Sequence, residues 1–298
     1  MNPTLQKTLV FNGLVNDTVN RTSEYRLDAS GKGVNVSRVL TQLGKETCHL
    51  TQLGGVLRPL FLELCGQDEL RVEWVESSSP IRFCYTILDR KDKSVTELVE
   101  ESERVGEGTE KRLFEAFSKL ISEYSALVIS GTKAAGFSDA LIPDMVRLAR
   151  KKGCRVILGV RGKDLINSLS FGPDIVKPNL YEFAGTFAPE LVSQNKIKDD
   201  VNVKAKIGEI WAELYEKYRC RLVLTQGAGS VWYSEKGEIG EYTFKPIQPL
   251  NTTGSGDAFT AGLAAALEDG ASLPDAVAEG ARCGALNAAI LRPGVIKQ

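Results

Sequence analysis

A chain of 298 residues with 43% hydrophobic and 25% charged residues has the composition of an ordinary globule with one large core or two smaller ones. A formal net charge of −1 provides no basic face for a polyanion, which argues against nucleic acid as the principal ligand. The one histidine, His49, lies in an apolar stretch, and the six cysteines form no Cys-x-x-Cys pair, so no zinc-ligand spacing is present and a catalytic base is expected to be a carboxylate.

In chain order, the segments Thr8–Leu27 and Ile81–Leu98 carry alternating or β-branched residues with charged turns, and they predict the hairpins of a small antiparallel β-sheet. This appendage (8–27 and 81–98) is expected to form a lid on a large α/β domain made of 1–7, 28–80 and 99–298. The charge run Glu97–Glu107 reads as a solvated linker into the large domain. Beyond it, Ser125–Ser130 predicts a buried strand, Ala140–Arg150 a helix stopping at Gly153, and Arg155–Leu158 a second strand. Asp174–Lys177 and Arg221–Thr225 complete the series, with a long helical stretch through Ile207 and Trp211 between them. Continuous apolar strands separated by helices predict a mainly parallel central sheet flanked by helices on both faces. No signal-peptide pattern opens the chain and no apolar run has bilayer length, so a cytoplasmic location without a membrane partner is expected.

The strongest chemical signal is the stretch Asn251–Gly262, in which Gly254-Ser255-Gly256 leads into a small-residue helical run from Ala258 to Leu267. A glycine turn opening a helix aims several N–H groups at one point, where the helix dipole also favours an anion. Such a site suits a transferring phosphoryl group. Asp257 in the first turn is placed to take a proton from an attacking hydroxyl. The same spacing also fits an ordinary turn in which Asp257 only supports the helix N-terminus.

This string closely resembles the second signature of the ribokinase-like, or PfkB, family of carbohydrate kinases. The first signature is similar to Ser30-Gly31-Lys32-Gly33-Val34-Asn35, followed by Gln52–Gly55. Lys177-Pro178-Asn179 with Glu182 resembles the Asn-x-x-Glu element, and Thr225-Gln226-Gly227-Ala228-Gly229 resembles the nucleotide loop. The resemblance implies a ribokinase-like α/β fold with a small β lid, and ATP with Mg2+ as cofactors. It implies Asp257 as general base and an anion hole from the N–H groups of Gly254, Ser255 and Gly256. Asn179 and Glu182 are then expected to organise Mg2+ through water, with Lys177, Thr225, Gly227 and Gly229 bordering the nucleotide. Gly31, Lys32, Gly33 and Asn35 are expected on the acceptor, and a homodimer through the lid is an expectation by analogy.

The opening Asn2–Thr8 and Asn251 resemble the branch containing 1-phosphofructokinase and tagatose-6-phosphate kinase, and Arg82 and Arg21 match arginines that contact a substrate phosphate there. Three features depart from the branch pattern. Gln6 stands where an aspartate binds the sugar. Gly159 and Arg161 replace an acidic strand end, and Lys133 lies in a loop that lacks the expected prolines. The chain also begins almost at Asn2-Pro3, with no residues for the short strand that the resemblance implies before that point: either the start is late, which would leave a gap in the sheet beside the substrate site, or one strand has been lost. Candidate acceptors are fructose 1-phosphate, fructose 6-phosphate or tagatose 6-phosphate. An unphosphorylated sugar or nucleoside is the alternative acceptor, and a non-catalytic sugar- or nucleotide-binding homologue is the alternative class.

Overall fold

The computed structural model describes residues 1–193, 196–197, 202–245 and 247–297. Strands β1 (Thr4–Phe11) and β2 (Tyr25–Ser30) open the chain as an antiparallel pair. Helix α1 (Lys32–Gln42), strand β3 (Cys48–Leu53), helix α2 (Arg58–Gln67) and strand β4 (Arg71–Glu76) follow, with β3 and β4 pairing parallel. Strands β5 (Arg82–Asp89) and β6 (Ser94–Val99) then return to the first pair and complete a sheet of order β2-β1-β5-β6.

This small sheet differs from the expected antiparallel one. Its two hairpins are antiparallel, but β1 and β5 at its centre run parallel, from Thr4 opposite Arg82 to Phe11 opposite Asp89. A parallel pair needs a long crossover, and the excursion through α1 and α2 supplies it, a relation that no local alternation of side chains can reveal. Pairing also begins at Thr4, which puts Gln6 on this sheet. Strand β6 continues to Val99, so Glu97 sits in a ladder opposite Thr86 instead of in a linker.

The remainder alternates as the sequence predicts: α3 (Thr109–Leu120), β7 (Ala126–Ser130), α4 (Leu141–Lys151), β8 (Arg155–Gly159), α5 (Gly162–Leu169), β9 (Ile175–Val176) and α6 (Leu180–Phe187). A short pair, β10 (Val192–Ser193) and β11 (Lys196–Ile197), precedes α7 (Val203–Tyr218) and the strands β12 (Arg221–Leu224), β13 (Val231–Ser234) and β14 (Gly240–Tyr242). Helices α8 (Ser255–Glu268) and α9 (Leu273–Ala288) close the fold. The large sheet has the order β14-β13-β12-β9-β8-β7, parallel from β7 to β12 and antiparallel at the β13–β14 edge.

Val156, Ile157 and Leu158 of β8 are all fully buried, because helices cover both faces. On one face, Phe183 and Trp211 pack with Leu141, Met145 and Val146 of α4, whose spacing is that of one helical stripe. On the other, Phe259 and Leu263 of α8 and Val277 of α9 cover Ile157, Ile175 and Val223. Each such side chain contributes about 1.5–3 kcal/mol on burial, so α8 is fixed by its apolar face before any ligand arrives. Strands β3 and β7 each have one paired neighbour, and between their other edges lies a cavity of about 460 Å3 lined by His49, Leu50, Leu127 and Val128.

Candidate active site

The carboxyl ends of β8, β9 and β12 converge on the N-terminus of α8, where a parallel sheet exposes its ligand crevice. Gly254 caps α8 with φ of 82°, a left-handed conformation, and a Cβ there would approach the Gly294 nitrogen to 2.7 Å. Only glycine serves at this turn. Among the described residues, no acceptor within the chain meets the N–H of Gly254 or Gly256, which leaves both for an anion. Ser255 departs from its expected role: its N–H donates to Thr252 O at 3.1 Å, and its hydroxyl accepts from Asn287 Nδ2 at 3.2 Å. Of the three N–H groups expected to form an anion hole, two therefore have no acceptor within the chain.

Asp257 lies one residue further on, 7% exposed, and its Oδ2 accepts from Asn35 Nδ2 at 2.9 Å. Burial pushes its pKa up to about 6, with Lys32, the Asn35 hydrogen bond and Lys177 working against that rise. A carboxylate of this kind is ionised at neutral pH and still basic enough to take a proton.

A cavity of about 570 Å3 joins Asp257 and Gly254 to Gln6, Gly31, Lys32, Asn35, Arg82, Lys177, Asn179, Glu182 and Thr225. These residues come from both sheets, which explains why they are scattered in sequence. Arg82 donates to the Glu100 carbonyl at 2.5 Å, while its buried Nε has no hydrogen-bond partner. Gln6 donates its amide nitrogen to Thr86 Oγ1 at 2.7 Å, so its carbonyl oxygen is the group left for an acceptor hydroxyl. Other expected residues lie outside the cavity. Arg21 is exposed in the β1–β2 loop, Gly33 packs against the His49 ring, and Gly227 and Gly229 lie in the turn beyond Thr225. His49 is buried and held neutral, its pKa pushed down to about 3 by burial, which agrees with a structural role.

Asn179 and Glu182 form a reciprocal capping box on α6: Asn179 Oδ1 accepts from Glu182 N at 2.7 Å and Glu182 Oε2 accepts from Asn179 N at 3.0 Å. The other Glu182 oxygen takes Lys32 Nζ at 3.1 Å across the cavity. Burial raises the Glu182 pKa, but Lys32, the Asn179 N–H and Lys177 outweigh it and leave the carboxyl below its ordinary value. Lys177 itself is 6% exposed, lies 5.4 Å from the Phe259 ring centre, and is pushed down to about 8 by burial. Among the described residues, no group of three acidic, histidine or cysteine side chains could hold a metal ion directly, and a metal held in the cavity through water would meet the Glu182 carboxylate. At Gly159 an added Cβ would meet Ser130 Oγ at 3.4 Å, an ordinary contact, so the missing side chain reflects no steric bar. Lys133 is ion-paired to Asp164, while Arg161 is exposed at the start of α5.

Two residues that sequence reasoning missed close the cavity. Thr253 Oγ1 donates to Glu97 Oε1 at 3.1 Å, which connects the anion-hole turn to β6 of the small sheet. The partners are 156 residues apart, and only the folded β5–β6 hairpin brings them together.

The profile of the pfkB family carbohydrate kinases matches residues 6–296. The chain belongs to that family. This carbohydrate kinase is 25% identical over 269 residues to a tagatose-6-phosphate kinase of Staphylococcus epidermidis, covering 90% of this chain and 83% of the relative. Its fold matches that of a possible 1-phosphofructokinase from Thermotoga maritima, with a TM-score of 0.84, 20% identity, and coverage of 98% and 91% of the two chains. It also matches Escherichia coli phosphofructokinase-2 in complex with fructose-6-phosphate, with a TM-score of 0.80, 20% identity, and coverage of 96% and 90%. The expected α/β class and the branch resemblance are both borne out. Membership of the family makes the protein a phosphotransferase acting on a carbohydrate hydroxyl.

Proposed function

We propose that this kinase transfers the γ-phosphoryl group of ATP, bound with Mg2+, to a hydroxyl of a phosphosugar of the fructose 1-phosphate, fructose 6-phosphate or tagatose 6-phosphate type. The observation that carries this reading is the pairing of Asp257 under the Gly254 turn with Arg82, whose buried Nε is unpartnered, in one cavity. An unpartnered buried guanidinium nitrogen is costly unless an anion completes it, and a sugar phosphate is such an anion. The names of the tagatose-6-phosphate kinase and of the fructose-6-phosphate complex point the same way.

Asp257 takes the proton of the acceptor hydroxyl at Oδ1, since Oδ2 is held by Asn35. The N–H groups of Gly254 and Gly256 receive the charge that develops on the transferring group. Asn35 and the Gln6 carbonyl orient the acceptor. Nucleotide with its metal supplies the phosphoryl group and charge screening, and Glu182 and Lys177 face that end of the cavity. The small sheet acts as a lid, held to the anion-hole turn by Glu97 and Thr253, and its closure excludes water from the reaction. The outer hydrophobics Tyr25 and Leu98, each more than half exposed, favour a second copy packed lid to lid. We place the protein in the cytoplasm.

Arg82 provides the test of the acceptor class. In Arg82→Ala, KM for a phosphosugar should rise about 10- to 100-fold, the worth of a charge-assisted pair, with KM for ATP little changed. Unchanged phosphosugar kinetics, together with turnover of an unphosphorylated sugar, would favour the alternative acceptor.

A further inference from the structure

Asn35 supplies the only hydrogen bond that reaches the Asp257 carboxylate among the described residues, and the orientation of its amide is set from behind. Arg38 Nη1 donates to Asn35 Oδ1 at 3.1 Å, and Ser30 Oγ lies 3.2 Å from the same oxygen. Since a guanidinium can only donate, the oxygen of the amide must face Arg38 and the nitrogen must face Asp257. Arg38 is 1% exposed and is engaged at all three nitrogens: Nε donates to Asp68 Oδ2 at 2.8 Å, Nη2 to Ala29 O at 2.5 Å and Nη1 also to Pro293 O at 3.3 Å. Arg292 continues the chain, pairing with Asp68 at 2.6 Å and with Asp28 at 2.7 Å. Asp28 lies on β2 directly opposite Gln6. Gly294 closes the other side of Asn35, where an added Cβ would come within 2.8 Å of the Asn35 Cα.

We propose that Arg38 is a positioning residue for phosphoryl transfer: by holding Asn35 Oδ1 it aims the Asn35 amide at Asp257 and fixes which carboxylate oxygen faces the acceptor. The Asp68–Arg292–Asp28 chain couples that hold to the strand carrying the lid. Burying an arginine is a costly way to stabilise a core, and one arm of this one is committed to the side chain that touches Asp257. The reading of Asp257 as base underlies the inference, but the geometry of the chain of contacts does not depend on it. The charged groups facing Asp257 are Lys32 from α1, Lys177 after β9 and Glu182 from α6, and Arg38 touches none of them in the described contacts.

The test is a direct titration of Asp257 in full-length protein labelled with 13C-aspartate, its carboxyl resonance assigned by its absence from Asp257→Asn. In folded Arg38→Met, the titration midpoint should rise by about half a pH unit or more, because the Asn35 donor is no longer aimed. Where acceptor turnover is measured, the acid limb of kcat should move with it and kcat should fall about tenfold, with nucleotide KM within about twofold. Arg38→Lys should recover part of the shift. In an Asn35→Leu background the Arg38 substitution should add nothing further. Should Arg38→Met fail to fold, Arg292→Gln, at the more exposed end of the chain of contacts, should move the midpoint in the same direction. A midpoint unchanged in the folded variant, or an equal shift with Asn35 already removed, overturns the inference. Failure of the wild type to turn over any acceptor would count against the kinase reading and leave this titration result standing on its own.

Discussion

Asp257 combines two properties that pull in opposite directions. Burial in the first turn of α8 raises its pKa to about 6 from an ordinary 3.8, so the folded protein holds a proton that the unfolded chain releases between those values. Stability therefore declines as pH rises from about 4 to about 6, and the loss is complete at neutral pH. Asp257→Asn should lower kcat by about 10²–10⁴-fold, as expected for removal of a general base. The same variant should be more stable than the wild type at pH 7, by about 1–3 kcal/mol in a denaturant melt. An increase of that sign accompanied by lost turnover separates a base from a mere helix support, whose removal would destabilise. In the wild type, kcat should fall as pH drops through about 6, which a pH–rate profile with saturating acceptor measures. The placement of Asp257 beside a glycine turn was legible in the sequence because both lie in one contiguous string, whereas Arg82 was singled out by the branch resemblance. Ser255 was not, because its N–H is consumed by Thr252 within the turn, a backbone detail that residue identity does not encode.

At the level of elements, the parallel α/β layers were legible because strands such as β8 are apolar on both faces and their helices carry one apolar stripe. The small sheet was only half legible: alternation marked its strands, yet the parallel β1–β5 pairing depends on where the α1–β4 excursion delivers the chain. The capping box on α6 engages Asn179 and Glu182 with the helix N-terminus and still leaves Glu182 on the cavity wall. The cap fixes the Glu182 carboxylate at the cavity wall. Asn179→Ala should cost about 1 kcal/mol of stability in a thermal melt and should also raise the Mg2+ concentration needed for half-maximal rate. Helix α8 depends likewise on α9. A Cβ at Gly262 would meet the Glu279 carbonyl at 2.9 Å, so Gly262→Ala should destabilise by about 1–3 kcal/mol and displace Asp257 with its helix. Circular dichroism melts and kcat measured on the same sample would test both effects.

For the whole molecule, the site exists only where two sheets meet. The large sheet brings Lys177, Glu182 and Thr225, α8 brings Asp257, and the small sheet brings Gln6, Arg82 and Glu97. Such a division suits a bisubstrate reaction, in which a lid closes on one ligand while a rigid layer holds the other. Exposed Leu98 on the outer face of the same small sheet links catalysis to assembly if two lids pack together. Leu98→Lys should then lower the mass measured by light scattering at micromolar concentration, from that of a dimer to that of one chain.

The central claim is Asp257-dependent phosphoryl transfer to a phosphosugar, and the most direct test measures ADP release from ATP and Mg2+. The acceptor panel would contain fructose 1-phosphate, fructose 6-phosphate, tagatose 6-phosphate, the free sugars and nucleosides, with Asp257→Asn as the blank. The account predicts acceptor-dependent release with at least one phosphosugar that collapses in the variant. Release no higher than the blank across the whole panel, in protein shown by its melt to be folded, would contradict it.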